Sequence, residues 1–386
     1  MPRLSDVFLL AAAIPFFYYF LVLFSSWRYF RNRVEAADAP FLPAVSILKP
    51  IRGQDPDARK NLESFCCLDY PDYEIVFCVD PGDAAIQKLI AEVAADFPER
   101  TIRVLLGSGR RATNDKVAKL ARLVEEAAHE VVVISDSDVR VRPDYLRKVV
   151  APLRDPNVGA VTPFYVPVGI DSFTDHLQNV GMMSDFYAGI LVAWQLDGVK
   201  FALGPTIATT RSRLAGFGGY AELENRPADD LLVGRLIAEQ GCGVVLLNYP
   251  IETVCDYASL TDLLHKRLRW IVVMRHMRPW GHFGLLLTQG LPWGLAAVAV
   301  HPSAAVVAIY LGGYFAIRAA MTWLIGIRGL GQPGLWAEMP LIPVWDAVAF
   351  GIWLTSFSRN SIRWRGADYY IRDGQLVPVA QARAND

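Results

Sequence analysis

Hydrophobic positions along the chain follow two different patterns. Val7 to Phe24 carries no charged residue and is long enough to cross the hydrocarbon core of a bilayer. Phe283–Val300, Ser303–Ile327 and Leu341–Phe357 form a second apolar set. Arg318 lies inside the second of these runs and Asp346 interrupts the third. Between the two sets, from Ala44 on, short apolar bursts alternate with amphipathic stretches. Val45–Pro50, Tyr73–Asp80, Ile102–Leu106 and Val131–Val141 read as strands, and Val158–Val161 as a further one. Asn61–Cys67, Ala84–Phe97, Lys116–His129 and Asp229–Ala238 read as helices, and Asp171–Trp194 as an apolar helix near the membrane. Strands and helices alternating at this spacing predict an α/β class of βαβ units around a parallel sheet.

Ser259 to Phe283 is a basic amphipathic helix. Leu260, Leu263, Leu264, Leu268 and Ile271 line one face, with His265, Lys266, Arg267, Arg269, Arg275 and Arg278 supplying charge. Such a helix suits a membrane interface. The predicted layout is an anchor over 1–27, an α/β domain over 44–257, an interfacial helix over 258–282, a membrane region over 283–358 and a tail over 359–386. The first apolar run ends in bulky aromatics rather than a small-residue cleavage site, which favours an uncleaved anchor over a signal peptide. Arg28, Arg31 and Arg33 follow that anchor, against Arg3 before it. This bias places the α/β domain in the cytoplasm. Arg359, Arg363 and Arg365 argue for the same side at the tail. Three full crossings after the domain would put the tail on the other side, so either one run is re-entrant or the charge rule fails.

Composition agrees with a soluble domain joined to membrane spans. Hydrophobic residues are 53% and charged residues 20% of 386, with a mean hydropathy of +0.25. A net charge of -1 gives no sign of a nucleic-acid partner. Cys66, Cys67, Cys78, Cys242 and Cys255 lack zinc-type spacing and read as reduced thiols.

The candidate chemistry is carried by acids at strand ends. Val131–Val141 runs from a buried-strand pattern directly into Asp136-Ser137-Asp138. Open α/β sheets bind ligands at this edge. Two carboxylates one residue apart suit Mg²⁺ or Mn²⁺ that completes its shell with substrate phosphates. They also suit an ordinary polar turn. Asp80 and Asp83 end the preceding strand, on the same edge of the sheet. That arrangement fits a nucleotide-sugar site with one carboxylate near the nucleoside and the Asp136 pair at the diphosphate. Gly107–Lys116 is a basic loop entering a helix, fit either for phosphate or for solvent. Asp229 and Asp230 open a helix, where acids are also favoured as caps. Ala215–Tyr220 is glycine-rich but lacks the dinucleotide spacing.

Taken in order, Ser46-Ile47-Leu48-Lys49-Pro50, Leu68-Asp69-Tyr70-Pro71-x-Tyr73-Glu74, Asn114-x-Lys116, Asp136-Ser137-x-x-Arg140-Val141, Ala228-x-Asp230 and Arg269-Trp270 resemble the ceramide glucosyltransferase family of inverting glycosyltransferases, family 21. The similarity runs from about Val45 to Trp270. The resemblance implies a GT-A fold with transmembrane helices at both ends, a UDP-sugar donor, a divalent cation (Mg²⁺ or Mn²⁺) and a membrane-lipid acceptor. It implies nucleoside contact by Asp80 or Asp83, metal and diphosphate contact by Asp136 with Asp138, and a catalytic base at Asp230. Arg269 and Trp270 match the end of a Gln/Arg-x-x-Arg-Trp motif that holds donor diphosphate and acceptor. Lys266 stands at its first position, keeping the charge without the planar fork. Lys116 joins the donor site. The donor implied is UDP-glucose and the acceptor ceramide or a similar lipid alcohol. Bacterial relatives that use UDP-N-acetylglucosamine on hopanoids are the nearest alternative, and with them the bacterial inner membrane is the expected location. Processive polysaccharide synthases, which carry Gln where Lys266 stands, are more distant. A non-catalytic scaffold would require the loss of an acid that is present here.

Overall fold

A computed structural model describes residues 4–31, 41–110, 112–255, 257, 259–364 and 367–379. Arg3, Arg33 and Arg365, counted above, and Arg111 of the basic loop lie outside these residues.

The α/β domain is built on one eight-stranded sheet. Its strands are β1 (Val45–Pro50), β2 (Tyr73–Val79), β3 (Thr101–Leu106), β4 (Val131–Ser135), β5 (Val139–Arg140), β6 (Val158–Val168), β7 (Thr206–Thr210) and β8 (Gly243–Val254), in the order β3-β2-β1-β4-β7-β6-β8-β5. Every residue of β1, β2 and β4 is buried, as their unbroken apolar runs require of strands covered on both faces. Helices Ala58–Cys66, Ala84–Asp96 and Asp115–Glu126 connect them.

The expected parallel order holds for β3-β2-β1-β4, and β6 runs parallel to β8. β7 runs antiparallel to both β4 and β6, and β5 is antiparallel to β8. β7, with three threonines in five residues, lacks an apolar run, and the run Val244–Leu247 of β8 is broken off by Asn248 and Pro250. β6 extends well beyond Val158–Val161. Pro163 and Pro167 lie within it, and the ladder with β8 slips in register between Pro163 and Tyr165. Proline removes a ladder donor, so it breaks the strand pattern without ending the strand.

The long apolar helix is three segments, Phe173–Gly181, a π-turn Met182–Phe186 and Tyr187–Asp197. It packs against the membrane helices, of which the N-terminal one also reaches the sheet, Tyr29 donating to Leu246 O at 2.8 Å. Trp345 lies flat against it at Gly181, where an added Cβ would meet the indole at 2.3 Å.

Among the described residues, three helices are long and apolar enough to cross a membrane: Ser5–Arg31, Ala304–Gly329 and Leu335–Ser358. Pro279–Thr288 and Gly290–Val300 form a further pair bent by 53°. Ser5–Arg31 and Ala304–Gly329 run side by side in the same direction. The Tyr310 hydroxyl donates to Leu9 O at 2.7 Å, Tyr19 and Tyr314 rings lie 6.5 Å apart, and Phe30 packs on Gly329. The bent pair runs the opposite way. Tyr19 sits at its break, donating to Thr288 O at 3.0 Å and accepting from Gly290 N at 2.8 Å, while Ala297 packs near Ala12.

Both ends of Leu335–Ser358 are tied to the α/β side. Glu338 bonds His176 and Asn179 at 2.8 Å each. At the other end, Arg275 donates to Arg359 O and Asn360 Oδ1 at 2.9 Å. The chain therefore departs along the bent pair and returns along Ala304–Gly329, and the third apolar run brings the tail back to the domain. There β9 (Ser361–Trp364), β10 (Ala367–Arg372) and β11 (Gln375–Pro378) form an antiparallel sheet on helix Leu260–Met277.

Candidate active site

The carboxyl ends of β2, β1 and β4 share one edge because the three strands are parallel neighbours. Asp136 and Asp138 leave that edge in a turn pinned on three sides. Asp136 N donates to Pro205 O at 3.2 Å, Val254 N donates to Asp138 O at 3.0 Å, and the Lys49 ammonium donates to Asp136 O at 2.8 Å. The buried Asn114 caps helix Asp115–Glu126, its side chain accepting from Val117 N at 3.3 Å. That cap places Lys116 in the first turn, where its ammonium meets Asp136 Oδ1 at 2.6 Å and Asp229 Oδ2 at 3.9 Å. Asn114 N also donates to Glu224 O and its amide to Arg226 O, so this loop and the one before Asp229 are bonded together.

Asp230 reaches the cluster from helix Asp229–Glu239. It can do so because residue 204 is glycine: a Cβ there would stand 2.8 Å from Asp230 Oδ2. The residue before the helix, Ala228, has φ 56°, a left-handed conformation that is uncommon for a residue with a Cβ. Strained backbone of this kind concentrates at functional sites.

The cluster holds more acid than base. Burial, then Asp136 and Asp55, push the Asp138 carboxyl up to about 7, against Lys116 and Lys49. Burial, then Asp229, push Asp230 up to about 6. Burial alone would lower the Lys116 ammonium, but Asp136, Asp229 and Asp230 outweigh it and hold it above the ordinary lysine value. Burial lowers Lys49 to about 7 in spite of Asp136 and Asp138. Carboxylates that repel one another in this way are a favourable setting for a dication. Among the described residues no three His, Cys, Asp or Glu side chains gather to hold a metal alone. The donor set fits one all the same: two hard carboxylates, with the remaining positions open to phosphate and water oxygens, as Mg²⁺ favours.

Asp80 and Asp83 differ in setting. Asp83 caps helix Ala84–Asp96 and accepts from Gly53 N at 2.8 Å. Asp80 meets the ammonium of Lys119 at 2.8 Å. Lys119 is fully buried, and also holds Asp115 at 3.0 Å and Ile51 O at 2.9 Å.

The residues of the amphipathic helix contact other partners. Lys266 pairs with Asp262 at 3.5 Å and lies over Tyr257. Arg269 lies over Trp364 of β9 at 5.5 Å, and Trp270 packs on Phe186 at 6.0 Å.

Lys49, Lys119, Asp229 and Gly204 escaped the sequence reading as site residues. Lys49 and Lys119 carried a signal in hindsight, each a lysine at a position whose neighbours are core. Asp229 carried one as the neighbour of Asp230 at the helix start, whereas Gly204 carried none, since the fold alone brings it to the cluster.

The profile of glycosyl transferase family 21 matches residues 7–377. The chain belongs to that family. Among relatives of this family 21 chain, ceramide glucosyltransferase 3 of Caenorhabditis elegans is 22% identical over 71% of the chain and 61% of the relative. The beta-monoglucosyldiacylglycerol synthase of a Nostoc species is 26% identical over 64% of the chain and 52% of the relative. The chain thus spans between half and about three-fifths of the length of the curated relatives it matches first. A mannosyltransferase from Pyrobaculum calidifontis, solved in complex with GDP-Man and Mn²⁺, superposes with a TM-score of 0.61 at 20% identity, over 91% of this chain and 99% of that one. The shared architecture is the GT-A glycosyltransferase fold.

Proposed function

We propose that this chain is a membrane-bound inverting glycosyltransferase that moves a sugar, glucose from UDP-glucose, onto the hydroxyl of a membrane lipid such as ceramide or a related lipid alcohol. The observation that carries the reading is the cluster of Asp136, Asp138, Lys116, Asp229 and Asp230, set at a ligand-binding sheet edge in a domain bonded to apolar helices. The family, and relatives named for ceramide and diacylglycerol glucosylation, support the acceptor class.

Asp230 accepts the proton of the acceptor hydroxyl as its oxygen attacks the anomeric carbon. The bond from that carbon to the diphosphate breaks, and the configuration inverts. A carboxyl held near 6 is well matched to this task at neutral pH. Lys116 and Arg269 offset the charge that gathers on the departing diphosphate. Asp136 and Asp138 would hold a divalent cation, which when bound supplies positive charge at the diphosphate. Asp80, kept in place by Lys119, and Asp83 lie on the nucleoside side. Lys266, Arg269 and Trp270 flank the route from the membrane, and the α/β domain faces the cytoplasm, at the inner membrane of a bacterium.

The test is transfer in purified membranes, offering UDP-glucose, UDP-galactose and UDP-N-acetylglucosamine with ceramide, diacylglycerol and a hopanoid polyol, with and without Mn²⁺ or Mg²⁺. Metal-dependent glucosyl lipid is the expected product. An N-acetylglucosaminyl hopanoid would keep the mechanism and replace the substrates. UDP release or polymer without a lipid product would overturn the lipid-transferase reading.

A further inference from the structure

The tail sheet β9–β11 is seated on the two elements that flank the acid cluster. Ile362, Ile371 and Leu376 pack against Val272 and Val273 of helix Leu260–Met277, and Ala228 and Leu268 border the same apolar cluster. Leu376 N donates to Asn225 O at 2.7 Å. The β10–β11 turn, Asp373-Gly374, has both residues at positive φ and lies against Arg226: a Cβ on Gly374 would come within 3.3 Å of its guanidinium. Trp364 carries Arg269 over its ring. On its other side the 224–226 stretch is bonded to Asn114, whose cap sets Lys116.

We infer that the C-terminal sheet is a working part of the active site: by bracing residues 225–228 it holds Ala228 in its left-handed conformation and so aims Asp230, with Leu376 as the principal positioning residue. The inference deepens the proposed function and rests on Asp230 being the base of that reaction. The physical argument is that a residue with a Cβ keeps a positive φ only where its surroundings over-determine it. Here the surroundings are supplied from three directions: the Asn114 bonds, helix Leu260–Met277 and the tail. The tail's share is an apolar side chain that is 3% exposed and one backbone hydrogen bond. No residue of the sheet need touch substrate for this role.

The experiment uses the full chain in membranes. Leu376→Ala is expected to lower kcat about tenfold, with the Kd for UDP in the presence of Mg²⁺ within threefold of wild type and the thermal midpoint of the extracted protein close to it. Leu376→Met keeps the packing and should retain most of kcat. The decisive variant is Ala228→Gly in the Leu376→Ala background. Glycine populates positive φ without outside support, so this second change should restore at least half of the lost kcat. Leu376→Ala activity within twofold of wild type would overturn the inference. So would a folded Leu376→Ala protein that Ala228→Gly leaves unrescued, or one whose loss lies in UDP binding. Should Leu376→Ala fail to fold, Trp364→Ala replaces it in the same cycle under the same criteria. A wild-type chain that binds UDP and transfers no sugar to lipid fails the proposed function instead, which the wild-type assay alone reveals.

Discussion

Two clusters of buried charge lie in this molecule, and they are built on opposite principles. Beneath the domain, Arg318 from one apolar helix meets Asp346 from another. Arg318 Nε donates to Asp346 Oδ2 at 3.0 Å, its other nitrogens donate to Asp346 Oδ1 and to Ser184 O, and Tyr314 donates to Asp346 Oδ2 at 2.7 Å. Asp185 stands near enough to act on Arg318, and Arg267 near enough to act on Asp185, giving two arginines and two aspartates. Charge is balanced, and both carboxylate oxygens of Asp346 accept. At the sheet edge, Asp136, Asp138, Asp229 and Asp230 gather about Lys49 and Lys116, more carboxylates than ammonium groups among the described residues. In the first cluster Arg318 and Asp346 are each hydrogen-bonded as they stand. The second holds an excess of carboxylates that a bound cation would offset. Buried charge that is matched fixes one arrangement of helices, whereas buried charge left unmatched marks a place for a ligand.

The comparison can be broken most severely at Asp230. Asp230→Asn should lower kcat about 10²–10⁴-fold, the usual contribution of a positioned general base, while UDP binding persists. A variant that still transfers sugar would move the base elsewhere. In the other cluster the same kind of change should strike stability instead. Arg318→Met leaves Asp346 buried without its partner and should cost about 3–5 kcal/mol, read as a lowered thermal midpoint in detergent. Arg318→Met with Asp346→Leu should recover most of that loss, because the pair is structural. If Lys116 and Asp136 hold donor and metal as proposed, no such rescue is expected between them.

Metal and pH sharpen the contrast further. Chelation should remove transfer and leave the Arg318 cluster and the thermal midpoint of the donor-free protein unchanged. Asp230 acts as a base only when ionised, so kcat/KM should rise with pH through about 6 and fall about tenfold per unit below it. The titration belongs to the coupled acids together. Because a dication favours their ionised forms, saturating Mg²⁺ should move this limb to lower pH. The smallest expected effect is at Gly204. Gly204→Ala sets a Cβ 2.8 Å from Asp230 Oδ2 and should lower kcat about tenfold by displacing the carboxylate, with UDP binding retained.

Much of this was legible in the chain. Uninterrupted apolar runs fix β1, β2 and β4 as buried strands, since only a sheet covered on both faces hides every side chain of such a run. The apolar stretches fix the membrane helices by length. The acids at strand ends fix where a ligand site lies, because parallel neighbours share a carboxyl edge. Arg318 and Asp346 looked like isolated charges in two apolar runs, and only the tertiary fold joins them, across 28 residues of sequence. Tertiary structure alone also decided that the third apolar run returns to the domain, because hydrogen bonds at Glu338 and Arg275 tie down its two ends. It decided that the tail becomes a sheet against Ala228, and that Gly204 makes room for Asp230. Local pattern records which side chains must leave water. Which of them then meet is set by the packing of segments far apart in sequence, and that information is not local.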